Sequence, residues 1–400
     1  ADGKPVERRI VGGLLGHWAV WTRRAVELFE ECRAAAESGA PIPHELTRRA
    51  VEVTDANAVL SGGSLTNEKA YLLGKFARLA LGTRHIDYNG RFCMAAAGSA
   101  YLHAFGLDRA MTPLSEVEHA DVVVVVGANL SDAYPVMLPP AIAKVRRRGG
   151  RVIVIDPRFG RWVQTDDLRV ALRPGTDGVL FLAVLDEIRR QGLIDVDYVD
   201  ARTSGFDEAM RSAARWPVEV AAATCDVPAD TIREIARLIG TAERCMILHA
   251  RGPEQQTMGT ANVLAMTNVA LAVGLPGRPG CGIDMLTGQR NGQGGREWGQ
   301  RCNQLPAGRS ITDPAHRITV ASRWGVAAEA LPGAGATYME ILDKAGRGEI
   351  KGLLSISNNM SISAPDLDRV DEQMAGLEHV VVIDPFLSEA ATMHATVVLP

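Results

Sequence analysis

Lysine is scarce in this 400-residue chain. Only six of the 43 basic residues are Lys and the rest are Arg, a bias that reads as genomic composition rather than as a phosphate-binding surface. Neither sign of charge is in excess. The 43 Lys and Arg face 47 Asp and Glu, a net charge of −4, which excludes an electrostatic nucleic-acid binder that needs a basic surface. Long apolar runs are missing too. The longest, 122–126 and 263–275, fall short of the roughly 20 residues a membrane-spanning helix needs. The six Cys, at 32, 93, 225, 245, 281 and 302, form no C-x-x-C pair. That argues against a metal knuckle and a disulfide framework, and for a reduced, cytoplasmic setting. There is no initiating Met and no signal peptide; Ala1-Asp2-Gly3-Lys4 opens the chain and Val397-Val398-Leu399-Pro400 closes it on an apolar strand. The expectation is a piece of a longer protein.

What is present is ordinary globular composition, 46% hydrophobic and 22% charged. It excludes a disordered chain, a coiled coil and a collagen-like repeat, and the length suits two or three domains. Residues 1–50 are poorly patterned, with helices expected over 21–37 and 44–53. Beyond them strands and helices alternate. Residues 58–61 read as a strand entering the Gly62-Gly63-Ser64 turn, and Thr66 as the N-cap of a helix over 68–81. Residues 85–88 read as a strand and 97–105 as a helix ended by Gly106. Continuous apolar strands are expected at 122–126 and 151–155, and another at 168–172, with helices at 139–148, 178–191, 228–239 and 261–273. This alternation predicts an α/β fold of doubly wound parallel sheets.

An internal repeat sharpens that reading. A strand ending at Gly127-Ala128-Asn129 is followed by a strand ending at Asp156-Pro157 and then by one ending at Leu172. Later, a strand ending at Ser357-Asn358-Asn359 is followed by one ending at Asp384-Pro385 and then by 397–399. Asn129 and Asp156 are 27 positions apart, Asn359 and Asp384 25. Two matching α/β units are therefore expected, related by a pseudo-twofold: a continuous one over 93–284 and a discontinuous one from 51–92 plus 285–400. Ligands of open parallel sheets sit beyond the strand C-termini at a topological switch point. Small residues there admit phosphates, and a strand-end Asp can accept hydrogen bonds from a ribose or a guanine. Asn is also a common turn residue, so it is the pairing of the two copies that argues for a nucleotide-like ligand.

A lone Cys93 stands just before a helix of small residues. A helix N-terminus favours a thiolate, but a buried structural thiol reads equally well from the residues alone. The surrounding stretches carry more. They are Gly63-Ser64-Leu65-Thr66-Asn67-Glu68-Lys69, continuing to Arg78; Asp87-Tyr88-Asn89-Gly90-Arg91-Phe92-Cys93-Met94; Ala250-Arg251-Gly252-Pro253-Glu254-Gln255-Gln256; Thr287-Gly288-Gln289-Arg290-Asn291-Gly292-Gln293-Gly294-Gly295-Arg296-Glu297; and Asn303-Gln304-Leu305-Pro306-Ala307-Gly308-Arg309-Ser310. From about residue 55 onward the chain resembles the molybdopterin oxidoreductases of the dimethyl-sulfoxide-reductase family. Within that family it is most similar to the catalytic subunits of assimilatory nitrate reductases.

The resemblance implies a molybdenum-dependent oxidoreductase that reduces nitrate to nitrite by oxygen-atom transfer. Another molybdopterin oxidoreductase, such as a formate dehydrogenase, and a non-catalytic cofactor-binding paralogue are the alternatives. It implies that Cys93 ligates molybdenum as a soft thiolate. Met94 then lines the substrate pocket, where a His would suggest a formate dehydrogenase. Arg296 faces the active site, where a planar guanidinium suits an anion; the other reading is a surface Arg in a flexible loop. Gln289 is a second polar contact. Two molybdopterin guanine dinucleotides are implied, one held by Asn129, Asp156, Arg158 and Asp177 and the other by Ser357, Asn358 and Asp384. Asp177 could equally cap the helix it opens. An electron-donor protein or reductase subunit is the implied partner. The family's iron–sulfur segment and C-terminal domain have no counterpart here, so the cluster is expected only in a full-length protein.

Overall fold

The computed structural model describes residues 53–400 and, before them, Ala34 alone. The N-terminal helical segment expected within 1–50, with Cys32, lies outside the described residues apart from that alanine. Twelve strands follow in chain order among the described residues: β1 (Asn57–Ser61), β2 (Ile86–Tyr88), β3 (Val122–Val126), β4 (Arg151–Ile155), β5 (Leu168–Val170), β6 (Cys245–His249), β7 (Gly282–Met285), β8 (Gln304–Leu305), β9 (Arg309–Ser310), β10 (Gly352–Ile356), β11 (His379–Ile383) and β12 (Val397–Leu399). Ten of them build two five-stranded sheets, ordered β12-β11-β10-β1-β2 and β5-β4-β3-β6-β7. Every pairing in both sheets is parallel. The chain is α/β with parallel sheets, as its alternating pattern predicts. It divides into two compact units. One holds the described residues up to Arg91 with Gln289–Pro400, and the other Phe92–Gly288.

The Phe92–Gly288 unit is organised by β3. All five of its valines are at most 5% exposed, because helices cover both faces and each face takes alternate residues. Val122, Val124 and Val126 join Ile153, Ile155 and Ile247 against the helices Ala95–Phe105, Asp177–Arg190, Ala229–Thr241 and Gly259–Ala272. Val123 and Val125 join Val152, Val154, Met246 and Leu248 against the helix Leu138–Arg147, which inserts Leu138, Ile142 and Val145. Strands β6 and β7 escape the sequence reading for a physical reason. The buried run Cys245-Met246-Ile247-Leu248-His249 has no alternation to separate it from a buried helix. Gly282-Ile283-Asp284-Met285 carries two residue types depleted in strands.

In the other unit, Val59, Ile86, Leu354, Val381 and Val397 share one sheet face with Leu65, Leu73 and Ala77. The helix expected over 68–81 does begin behind Thr66, whose side chain accepts from the Lys69 amide. It is α-helical only over Asn67–Lys75 and then widens to a π-turn at Phe76–Ala80. That turn carries Arg78 into the interior, where it is 1% exposed. Its guanidinium donates to the carbonyls of Gly74, Gly299, Arg301 and Gln304 at 3.2, 2.8, 2.8 and 3.0 Å.

The repeat is deeper than the three strands the sequence displays. Strands β3, β4 and β5 match β10, β11 and β12 in sheet order, and β6 and β7 flank β3 as β1 and β2 flank β10. In one unit the flanking pair follows the repeat in sequence; in the other it precedes it.

Candidate cofactor cradles and active-site residues

In each sheet the strand order reverses at one place, between β3 and β6 and between β10 and β1. Both switch points are built alike. Beyond β3, Gly127 turns at φ +58°, and its amide donates to the Ile155 carbonyl at 2.9 Å. Beyond β10, Ser357 takes the same place at φ +49°, and its amide donates to the Ile383 carbonyl at 2.8 Å. Positive φ is rare for a residue with a Cβ, and such strain gathers at ligand sites. The facing loops touch these turns closely. A Cβ on Gly252 would lie 2.6 Å from the Gly127 Cα, and one on Gly62 would lie 2.0 Å from the Ser357 carbonyl oxygen. Only glycine fits either place.

The strand-end aspartates match as closely. The Asp156 amide donates to the Val170 carbonyl at 3.1 Å, and its Oδ1 accepts the Arg158 amide at 2.8 Å. The Asp384 amide donates to the Leu399 carbonyl at 3.0 Å, and its Oδ1 accepts the Phe386 amide at 2.9 Å. Both residues are half-buried. Burial raises Asp156 above the ordinary carboxylate value, against the lowering pull of the Arg158 amide.

Other predicted residues are held differently. Asn129 donates to Asp132 Oδ2 at 2.7 Å and accepts from the Ser131 hydroxyl at 2.9 Å. Asn358 is buried, with its side chain donating to the Tyr338 hydroxyl at 2.8 Å. Asp177 is not an N-cap. It is the first residue of its helix, and its Oδ2 accepts Gln256 Nε2 at 2.9 Å. Burial raises this carboxyl too, opposed by the Gln256 hydrogen bond. Arg158 presents an exposed side chain.

Cys93 ends the one-turn helix Gly90–Cys93, and Met94 breaks the chain before the helix Ala95–Phe105. The thiol is partly buried, whereas Met94 is 2% exposed and packs in the core of its unit. Beside Cys93 lies a network the sequence reading did not find. Arg251 Nη1 donates to the Cys93 carbonyl at 3.2 Å and approaches its Sγ at 3.9 Å. Arg251 Nη2 donates to the Leu286 carbonyl at 3.1 Å and pairs with Glu254 Oε2 at 2.5 Å. Glu254 Oε1 is 2.8 Å from His249 Nδ1, and His249 Nε2 is 3.1 Å from the Tyr101 hydroxyl. The side chains of His249 and Glu254 are wholly buried. Burial, reinforced by the charges of Asp284 and Glu254, holds Tyr101 protonated far above its usual range. A lone His ending an apolar strand reads as core, so the only sequence signal was the spacing of Arg251 and Glu254 by one helical turn.

Arg296 sits in the short helix Gly292–Glu297 and is 4% exposed. A surface Arg in a flexible loop is therefore not what the structure shows. Gln289 is partly buried, and its Oε1 lies 2.6 Å from where a Cβ on Gly63 would be. The five described cysteines are free thiols. Among the described residues no three His, Cys, Asp or Glu side chains gather as a metal cluster, and no helix is long and apolar enough to cross a membrane.

A family profile described as "Molybdopterin oxidoreductase" matches residues 44–400. The chain belongs to the molybdopterin oxidoreductase family. It is 40% identical over 347 residues to the "Assimilatory nitrate reductase catalytic subunit" of Bacillus subtilis, covering 86% of this chain and 49% of that one. It is 32% identical over 346 residues to the "F420-dependent formate dehydrogenase subunit alpha" of Methanocaldococcus jannaschii, covering 86% and 50%. The chain thus spans about half the length of these curated relatives. Acetylene hydratase from Pelobacter acetylenicus shares the fold, with a TM-score of 0.66 at 19% identity over 95% of this chain and 52% of that one.

Membership of the molybdopterin oxidoreductases implies molybdenum and a pterin cofactor, and the residues present fit such groups. Two switch points packed backbone-to-backbone, each beside a strand-end Asp, suit a large phosphate-bearing ligand. One thiolate is a sufficient protein donor where a cofactor brings the remaining sulfurs, so the absence of a side-chain cluster does not conflict with the fit.

Proposed function

We propose that this chain is part of the catalytic subunit of a nitrate reductase, working in the cytoplasm with a reductase subunit or other electron-donor protein. The observation that carries the reading is Cys93, a part-exposed thiol followed by Met94 rather than His, with a guanidinium 3.9 Å from its sulfur. The 40% identity to an assimilatory nitrate reductase supports it.

In this reading Cys93 holds molybdenum. Asn129, Asp156, Arg158 and Asp177 hold one molybdopterin guanine dinucleotide, and Ser357, Asn358 and Asp384 hold the other. When bound, the metal with its pterin sulfurs supplies a two-electron couple for oxygen-atom transfer. The remaining work belongs to the chain. Arg296 binds nitrate through two parallel N–H donors and stabilises the charge that develops as nitrite departs. Gln289 adds a polar contact, and Met94, 2% exposed in the core of its unit, would act on the substrate only by backing the residues that meet it. Asp177 would accept guanine N–H groups in competition with Gln256. Asn358 would serve through its backbone, since its amide is committed to Tyr338.

A formate dehydrogenase is the second reading, favoured by the 32% identical archaeal relative. Assaying the full-length enzyme with both substrates separates them. Nitrate reduction is expected, and formate oxidation without nitrate reduction would overturn the proposal. Purified protein with neither molybdenum nor guanine released on denaturation would instead support a non-catalytic paralogue.

A further inference from the structure

The network beneath Cys93 has no assigned part in the chemistry, yet its construction is costly. A carboxylate and an imidazole with fully buried side chains stand in line with a guanidinium, and removing any one would leave a buried charge or polar group unpaired. Arg251 is fixed from three sides, by the Cys93 carbonyl, the Leu286 carbonyl and the Glu254 carboxylate. Its Nη1 is left beside the Cys93 sulfur, and the exposed Gly288 borders both residues, since a Cβ there would stand 3.9 Å from Arg251 Cγ and from Cys93 Sγ. We infer that Arg251 is a positioning residue that orients the Cys93 sulfur and tunes the charge felt by the metal it holds, with Glu254, His249 and Tyr101 locking the guanidinium in place. The inference rests on Cys93 being the metal ligand. Hydrogen-bonded partners of a ligand commonly matter 10–100-fold to metal affinity or activity.

The sign of the effect is testable. A cation beside a redox centre favours its reduced form, and an anion opposes it. In the full-length enzyme Arg251→Met should lower the molybdenum midpoint potential and Glu254→Gln should raise it. Arg251→Lys, which keeps the charge, should return the potential toward the parent value. The kcat of Arg251→Met should fall by about tenfold or more with little change in the KM for nitrate. A purely structural role predicts neither opposite shifts nor rescue by Lys. If Arg251→Met does not fold, Glu254→Gln and Arg251→Lys carry the test between them. Potentials unmoved, or moved the same way in Arg251→Met and Glu254→Gln, would overturn the inference. Cys93→Ala separates the two readings. If its molybdenum keeps the parent's potential, the metal reading fails and the clamp with it. If the potential shifts or the metal is lost while Arg251→Met leaves the potential unmoved, the clamp alone is wrong.

Discussion

Replacing Arg78 by Met should destabilise the unit that carries Arg296. Arg78 is 1% exposed, and burial lowers its guanidinium from the ordinary value to about 10. It therefore stays charged at pH 7, at a burial cost of roughly 3 kcal/mol. Met would relieve that cost but strip four carbonyls of their donor. Those of Gly74 and Gly299 belong to buried residues, and those of Arg301 and Gln304 to partly buried ones. An unsatisfied buried acceptor costs about 1–3 kcal/mol, so the four together, at about 4–12 kcal/mol, outweigh the relief and leave a net loss of at least about 1 kcal/mol. Arg78→Lys keeps the charge but cannot reach all four carbonyls, and should fall between Met and the parent. Urea unfolding followed by circular dichroism would show the midpoint falling in that order. Segment 299–304 follows the Arg296 helix directly, so Arg78→Lys should also raise the KM for nitrate in the full-length enzyme. A Met variant as stable as the parent would refute the reasoning, because the carbonyl bonds would then be worth no more than the burial they require.

Three further outcomes are expected. Gly62→Ala and Gly252→Ala should each cost about 1–3 kcal/mol, since their Cβ atoms would strike backbone, while Gly288→Ala should be nearly neutral; equal thermal midpoints for all three would contradict the tight switch-point packing. Asp284 is buried, and its Oδ1 accepts the Met111 and Thr112 amides. Burial raises this carboxyl to about 6. Its folded value lies above its unfolded one, so its contribution is unfavourable above pH 6 and is relieved as pH falls toward 4. The parent should therefore gain up to about 3 kcal/mol on Asp284→Asn between pH 7 and 4, and a pH-independent difference between the two would exclude the shift. Arg296→Ala should keep its molybdenum yet lose about 2–4 kcal/mol of transition-state stabilisation in kcat/KM; parent kinetics would make the Gly-rich helix a packing element instead.

The sheets were legible where sequence and burial agree. Val122–Val126 and Arg151–Ile155 announce themselves because both faces are covered, and Gly127, Asp156 and Asp384 mark the strand ends. Of the flanking strands β1 and β2 were legible but β6 and β7 were not, because the buried run of β6 has no alternation, β7 carries Gly282 and Asp284, and the partners of His249 and Asp284 lie far off in sequence. Tyr101 and His249 meet across 148 positions, and no local pattern can report that. The π-turn at Phe76–Ala80 was hidden likewise. Its sequence is helical, and only the carbonyls awaiting Arg78 give it a reason to widen. Motif residues fared unevenly. Asp156 and Asp384 occupy matching turns, whereas the Asn358 side chain turns inward to Tyr338, a choice set by packing that the motif does not record.

The most direct test of the central claim is X-ray absorption at the molybdenum edge of the full-length enzyme, parent against Cys93→Ala. The account predicts one fewer sulfur around the metal in the variant, with nitrate reduction lost. An unchanged sulfur count would contradict it.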